Sequence, residues 1–248
     1  MKFLFLGTGA SSGVPVVGCK CSICKSKDRR NHRLRTSGLL QVSGKNFLID
    51  ASPDVRQNAL EYQIESLDAL FLTHPHEDHI GGMNDLRSYS FLNQNKKIPL
   101  VLSEVTLKVL NIRFDYLMDR FLIEELKEKR GQAFISGVEV RYFSYSQQGL
   151  QVNGFRFGTF AYVTDIKDYE EAIFADLEGV ETLVLGAINE KESRMHFSIQ
   201  EASEFKKKNP SVKRCYLTHL SHEVDYETIS KALPEGVMLA YDGLELDV

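Results

Sequence analysis

Long apolar runs are missing from this 248-residue chain, and none approaches the length of a membrane-spanning helix. Positive charge is not in excess either. Lys and Arg number 30 against 34 Asp and Glu, and the net charge of −4 does not mark a protein that wraps long nucleic acid. Cysteine is scarce, with four residues, three of them crowded into "CKCSIC" at 19–24. Thiols this close rarely pair with one another, so metal binding is a better reading than a disulfide framework. Linkers, low-complexity segments and close internal repeats are absent. Residues 1–248 therefore read as one domain, long enough to bury a real core. The N-terminal "KFLFLG" is too short for a secretory signal and reads as a strand, so the expected location is cytoplasmic, with no membrane partner.

What is present alternates between sheet and helix patterns. "GLLQV" and "NFLID" flank "SGK", a hairpin signal. "SPDVRQNALEYQ" opens with a cap signal and continues as a helix, and "LDALFLT" is a buried strand. "GGMNDLRSYSFLNQ" starts a helix, "IPLVLS" is a strand, and residues 104–130 carry helical periodicity that ends in the charged "EELKEKR". The second half begins with the strands of a meander, "VEVRYF", "GLQV" and "GFRFGTFAYVTD". Helices and strands then alternate to a final β segment. Each half thus reads as a sheet followed by helices, and two sheets packed face to face with helices outside satisfy the pattern.

The chemistry concentrates in "THPHEDH" at 73–79, directly after the strand "LDALFLT". His74 and His76 stand two apart in extended backbone, so both imidazoles point to one side and reach one ion. Asp78 and His79 follow as the chain turns and reach a second ion. Imidazole and carboxylate donors suit Zn²⁺ or Mn²⁺. Two such ions activate a water and clamp a phosphoryl oxygen. A solvated polar loop is the bland alternative, and the apolar strand feeding the cluster argues against it.

These residues resemble the metallo-β-lactamase-fold hydrolases, and in particular the cyclic-phosphate phosphodiesterases of the carbon–phosphorus lyase pathway. The resemblance runs over nearly the whole chain. It is carried by "GTGASSGVP", "GCKCSIC", "RLRTS", "DASPDVRQ", "THPHEDHIGGMNDLR", "FAYVTD", "HFSIQEA" and "LTHLSHE". The "GTG" opening and the His cluster also resemble tRNA 3′-processing endonucleases. The family implies an α/β fold, the αββα four-layer sandwich, with its site where strand-end loops of both sheets meet. It implies that His74 and His76 hold the first ion, that Asp78, His79 and His219 hold the second, and that Asp165 bridges them. For Asp165 the plainer role is a helix N-cap before "IKDYEE". The family also implies that His222 completes one structural Zn²⁺ with Cys19, Cys21 and Cys24.

Other motifs carry less. "GTGASSG" is a poor dinucleotide loop, because Pro15 and the cysteines stand where its helix should start. The basic residues Lys25, Lys27, Arg29, Arg30, Arg33 and Arg35 read as a solvated face beside an anionic thiolate centre. Asp54 with Arg56 forms a candidate ion pair, and Cys215, in an apolar strand, reads as core. One departure stands out. The family's third His for the first ion is missing, Gln147 or Gln148 stands in its region, and no His occurs between 79 and 196.

The resulting expectation is a phosphodiester hydrolase with one or two active-site ions, acting on small or cyclic substrates. Asp78 and His196 are its catalytic candidates. His196 would protonate the leaving oxygen or hold the phosphate, against the plain reading of a packed helix-entry His. A tRNA 3′-processing-type endonuclease and a non-catalytic metal-binding or ligand-sensing module are the alternatives. Nucleic acid is the less favoured partner, and a homodimer is compatible with the sequence.

Overall fold

The computed structural model describes residues 1–248. Its first sheet holds β1 (Lys2–Gly7), β2 (Ser37–Val42), β3 (Lys45–Ile49), β4 (Ala69–Phe71), β5 (Ile98–Ser103) and β6 (Phe121–Leu126). The second holds β7 (Arg130–Ile135), β8 (Val138–Gln147), β9 (Leu150–Phe157), β10 (Phe160–Val163), β11 (Thr182–Gly186), β12 (Arg214–Thr218) and β13 (Val237–Leu239). A last strand, β14 (Glu245–Asp247), returns to the first sheet beside β1. Both sheets have seven strands, and in both the run of strands nearest the site is parallel: β3 to β6 and β10 to β13.

Residue alternation explains the layers. Phe3 and Phe5 of β1, Phe47 and Ile49 of β3, and Ala69 and Phe71 of β4 are fully buried and point at the second sheet. Phe155 and Phe157 of β9 and Phe160 and Tyr162 of β10 meet them there. Phe71 lies 5.3 Å from Phe47, 5.2 Å from Phe155 and 5.4 Å from Phe157, ring centre to ring centre. The opposite faces carry Leu6, Leu39, Leu48, Leu70 and Leu100 on the first sheet and Leu183, Leu185, Cys215 and Leu217 on the second. Helices cover both. They are α1 (Val55–Glu61), α2 (Glu77–Ile80), α3 (Met83–Leu92) and α4 (Glu104–Arg113) on one side, and α5 (Ile173–Asp176), α6 (Ile199–Lys207) and α7 (Tyr226–Ser230) on the other. The result is the αββα sandwich.

Several local expectations meet the structure directly. Ser43 and Gly44 both adopt positive φ, 50° and 72°, the tight turn that a two-residue hairpin requires. Helix α6 starts with a capping box between Ser198 and Glu201. Cys215 is fully buried, and burial pushes its thiol up to about 12. The helix over 104–130 is a correction. Helix α4 ends at Arg113, a 3-10 turn follows, and residues 121–126 pair with β5 as a parallel edge strand. Phe121 and Leu126 are buried while Glu124 and Glu125 stay exposed, so the charges guard a sheet edge rather than a helix end. The expected Asp54–Arg56 pair is also absent. Asp54 binds Arg35 instead, at 2.9 Å.

The aromatic layer sets the distance between the two sheets. Phe71→Ala should destabilise the protein by about 3–5 kcal/mol, the usual scale for emptying a buried aromatic position. A urea-unfolding midpoint equal to that of the parent would show that the layer is not the frame.

Candidate metal centres

Three site residues and one site loop follow closely on parallel strands. Asp50 comes after β3, the loop from Thr73 to His79 after β4, Asp165 after β10, and His219 after β12. Ligand sites in open α/β sheets lie at these carboxyl ends. Asp50, Asp165 and His219 all take left-handed backbone, with φ of 62°, 52° and 62°. Asp and His are among the side chains that tolerate this region best. The turn folds each side chain back over its strand end. Gly82 allows the His loop to leave, because a Cβ there would lie 2.1 Å from the Ser52 carbonyl oxygen.

One set of donors, Asp78, His79 and His219, converges with Asp165 beside it. Asp78 Oδ2 lies 3.5 Å from His79 Nε2 and 3.4 Å from His219 Nε2. Asp165 lies 3.2 Å from His79 Nε2 and 3.3 Å from His219 Nε2. Tetrahedral ligands at zinc bond lengths stand about 3.3–3.5 Å apart. All four residues are buried, and His79 Nε2 has no well-formed hydrogen bond. Beside this set, His74 Nε2 and His76 Nδ1 lie 3.0 Å apart, and His74 groups with His79 and Asp165. His196 comes within 3.3 Å of Asp165 Oδ1 and stacks on His219. Asp165 caps no helix: the next one begins at Ile173, so the capping reading fails.

Electrostatics follow from the convergence. Burial would drive the proton from His79, but Asp50, Asp165 and Asp78 outweigh it and hold its pKa well above the ordinary value. Burial would likewise raise Asp165, yet His219 and His79 keep it well below the usual carboxylate range. Burial and the neighbouring His79 push His74 well below normal. His196 is pushed down to about 4 by burial and by His219. A field of carboxylates this strong, facing a buried imidazole nitrogen without a well-formed hydrogen bond, fits a divalent cation.

Sequence reasoning passed over Asp50. It is fully buried and accepts from His79 Nδ1 at 2.7 Å, from the Thr73 amide at 2.8 Å and from Thr73 Oγ1 at 2.9 Å. A ring whose Nδ1 proton is held this way presents Nε2 to an ion. The available signal was an Asp ending an apolar strand, "NFLID". Of the two glutamines, Gln147 faces the site, 2% exposed, with its amide nitrogen 3.1 Å from Asp165 Oδ1, while Gln148 is exposed in the turn.

A second cluster joins the two ends of the chain. Cys19, Cys21 and Cys24 place their sulfurs 3.3, 3.6 and 3.6 Å from His222 Nδ1. Sulfur and nitrogen ligands of tetrahedral zinc lie about 3.6 Å apart, so the set fits. The Cys24 amide donates to Cys21 Sγ at 3.3 Å and holds that thiol at about 6. Arg33 is not part of a solvated face. It is 1% exposed, and its guanidinium donates to the carbonyls of Ser221 and Val224 at 3.2 and 2.9 Å, on either side of His222. The seventh histidine, His32, lies apart, with Nε2 2.8 Å from the Ser26 carbonyl.

Residues 45–220 match the family model described as "Beta-lactamase superfamily domain". An octanoyltransferase of Porphyromonas gingivalis is 33% identical over 257 residues, covering 99% of this chain and 51% of that protein. This chain thus spans about half the length of that curated relative. A crystal structure of a diphosphatase from the PhnP family is 34% identical, with a TM-score of 0.93 over 100% of this chain and 97% of that one. Zinc-bound PqqB from Methylobacterium extorquens superposes with a TM-score of 0.80 over the whole of both chains, and its 19% identity makes that a likeness of fold. No helix here is long and apolar enough to cross a membrane.

Two outcomes follow from the geometry. Cys21→Ser should remove one zinc per chain and lower the melting temperature, because ion binding here counts toward folding; unchanged zinc content would refute the cluster. Asp50→Asn should weaken active-site metal affinity by about 10–100-fold in a chelator competition, the usual effect of losing a group that orients a ligand. Equal affinity would leave Asp50 with no orienting role.

Proposed function

The chain belongs to the metallo-β-lactamase superfamily, and on that premise we propose that it is a metal-dependent hydrolase of phosphodiesters, small or cyclic ones in particular. The observation that carries the reading is the buried set Asp78, His79, Asp165 and His219, with donor separations of 3.2–3.5 Å, set beside the imidazole pair of His74 and His76. Asp78, His79, Asp165, His219, His74 and His76 would hold divalent ions, Zn²⁺ or Mn²⁺, which when bound would lower the pKa of a water and neutralise charge on phosphoryl oxygens.

The chain's own groups supply orientation and proton handling. Asp50 accepts the Nδ1 proton of His79, and Thr73 Oγ1 lies 2.9 Å from His74 Nδ1, so both rings present Nε2 to the centre. Asp78 and Asp165 bring the negative charge that holds the cations, and Asp165 lies within reach of both positions. Burial of His74, His79 and Asp165 keeps bulk water from the floor of the site and strengthens every charge interaction within it. His196, half-buried beside Asp165, is neutral near pH 7 with its pKa pushed down to about 4. It is placed to give a hydrogen bond to the departing oxygen, and a proton once the negative charge of a bound phosphate raises its pKa. The similarity to a diphosphatase supports attack at phosphorus, and it brings phosphoanhydrides into the same range of substrates.

Cleavage of bis(p-nitrophenyl) phosphate with added Mn²⁺ or Zn²⁺ is the direct test, with faster turnover expected on a cyclic phosphate. Asp165→Asn should abolish it. His196→Ala should lose about 10²–10⁴-fold on esters with poor leaving groups and far less on the nitrophenyl ester, which departs without a proton. Equal losses on both would remove the proton-donor role, and no turnover of any phosphodiester with either metal would overturn the function.

A further inference from the structure

Donor atoms in this site are not divided evenly between two ion positions. One position is formed by Asp78 Oδ2, His79 Nε2 and His219 Nε2, and the Asp165 carboxylate borders it, with Oδ2 3.2 Å from the His79 nitrogen and Oδ1 3.3 Å from the His219 nitrogen. The other begins with His74 Nε2 and His76 Nδ1, and the donors that group with His74, namely His79 and Asp165, are both already engaged at the first position. His76 joins no group of three metal-ligating side chains.

The chain offers nothing to complete that second set. Of its seven histidines, His79 and His219 serve the first position, and His222 turns to the three cysteines. His32 lies with the Ser26 carbonyl, and His196 groups with Asp165 and His219 rather than with His74 and His76, against Asp165 Oδ1 and the His219 ring. Asp50 is saturated by His79 and Thr73.

Two further buried polar side chains touch Asp165: the Thr164 hydroxyl, which donates to Oδ2 at 2.9 Å, and Gln147, at the end of β8. The Gln147 amide nitrogen lies 3.1 Å from Asp165 Oδ1, and 3.1 and 3.3 Å from the two ring nitrogens of His196. Its carbonyl oxygen is buried without a partner. An N–H directed at the shared carboxylate cannot ligate a cation, and it occupies a lone pair on that oxygen. Even turned around, a neutral amide oxygen is a poorer partner for Zn²⁺ than an imidazole.

We infer that the two ion positions are unequal: the one formed by Asp78, His79, His219 and Asp165 retains its ion, while the one begun by His74 and His76 is loosely held and is completed by a phosphate oxygen, with Gln147 as the residue that leaves it open. Only the phosphate clause rests on the function proposed above. The inequality has a thermodynamic consequence. If phosphate completes the loose position, ion and phosphate must each raise the affinity of the other by the same factor.

Metal counting tests this without any reaction. Protein purified without added metal and dialysed without chelator should carry about two equivalents per chain, one on the cysteines and one in the tight position. Gln147→His should raise the count to about three by supplying the missing imidazole. His74→Ala should leave the parent count unchanged, whereas Asp78→Ala should lose one equivalent. Three equivalents in the parent, two in a folded Gln147→His, or a loss in His74→Ala would each overturn the inference. In a Mn²⁺ titration followed by the electron-spin signal of the free ion, inorganic phosphate should tighten the weak Mn²⁺ by about tenfold, within the usual range of coupling between sites. No tightening would overturn the completion by phosphate. The counts are read whether or not any phosphodiester is cleaved, so failure of the function appears in the cleavage assay and failure here appears in the metal content.

Discussion

The hydrogen bond between Asp50 and His79 is the contact on which the site depends. Both side chains are completely buried, and they meet at 2.7 Å. A buried carboxylate is tolerated only when it is fully hydrogen-bonded, and Asp50 meets that condition with the Thr73 amide, the Thr73 hydroxyl and His79. One carboxylate therefore binds the end of β3 to the loop that follows β4. It fixes His79 directly. Through Thr73, whose hydroxyl also touches His74 Nδ1, it governs a second ring. The orientation of two imidazoles thus depends on a residue that belongs to no candidate ligand set.

The second sheet solves the same problem with a cation. His219 and His222 follow β12 three residues apart and fall in different candidate ligand sets, so the placement of both depends on the loop between them. Arg33 stiffens it from behind, with its guanidinium buried against the carbonyls of Ser221 and Val224. Burial lowers its pKa to about 10, still far above neutrality, with Asp242 and Asp225 nearby to favour the charge. The three cysteines then clasp His222 from the N-terminal loop. Chain segments around residues 20, 33 and 220 are thereby joined in one polar block behind His219. The cysteine cluster and the candidate active centre share a loop of four residues, so distortion of one bears on the other.

The sequence discloses donors better than it discloses what positions them. The spacing of His74, His76, Asp78 and His79 is legible because extended backbone and a turn place side chains predictably after an apolar strand. Asp165 and His219 are legible only through family resemblance, since their approach to the His loop depends on how two sheets stack. Asp50 and Arg33 stay hidden for a related reason. An Asp after a strand and an Arg in a basic run have common surface roles, and only tertiary burial separates these two from the ordinary case. The edge strand at 121–126 was hidden by its charge. Glu124, Glu125 and Lys127 suit an exposed helix turn as well as a guarded sheet edge, and the parallel pairing with β5 that decides between them is non-local.

Rigidity of the frame explains why the donor distances are set by the fold. Asp50, Asp165 and His219 each take left-handed backbone at the end of a parallel strand, and those strands are held by the aromatic layer between the sheets. A left-handed residue at such a place has little freedom to relax, because its neighbours on one side are locked in register. The donors are therefore preorganised, and binding an ion requires little rearrangement of the chain. The same rigidity applies to Gln147. It ends β8, paired through Leu150 into the hairpin with β9, and it is as firmly placed as the ligands it faces. Its amide lies against Asp165 because the strand puts it there. A difference of one side chain on this strand is therefore felt at the Asp165 carboxylate and at His196, both of which the Gln147 amide touches.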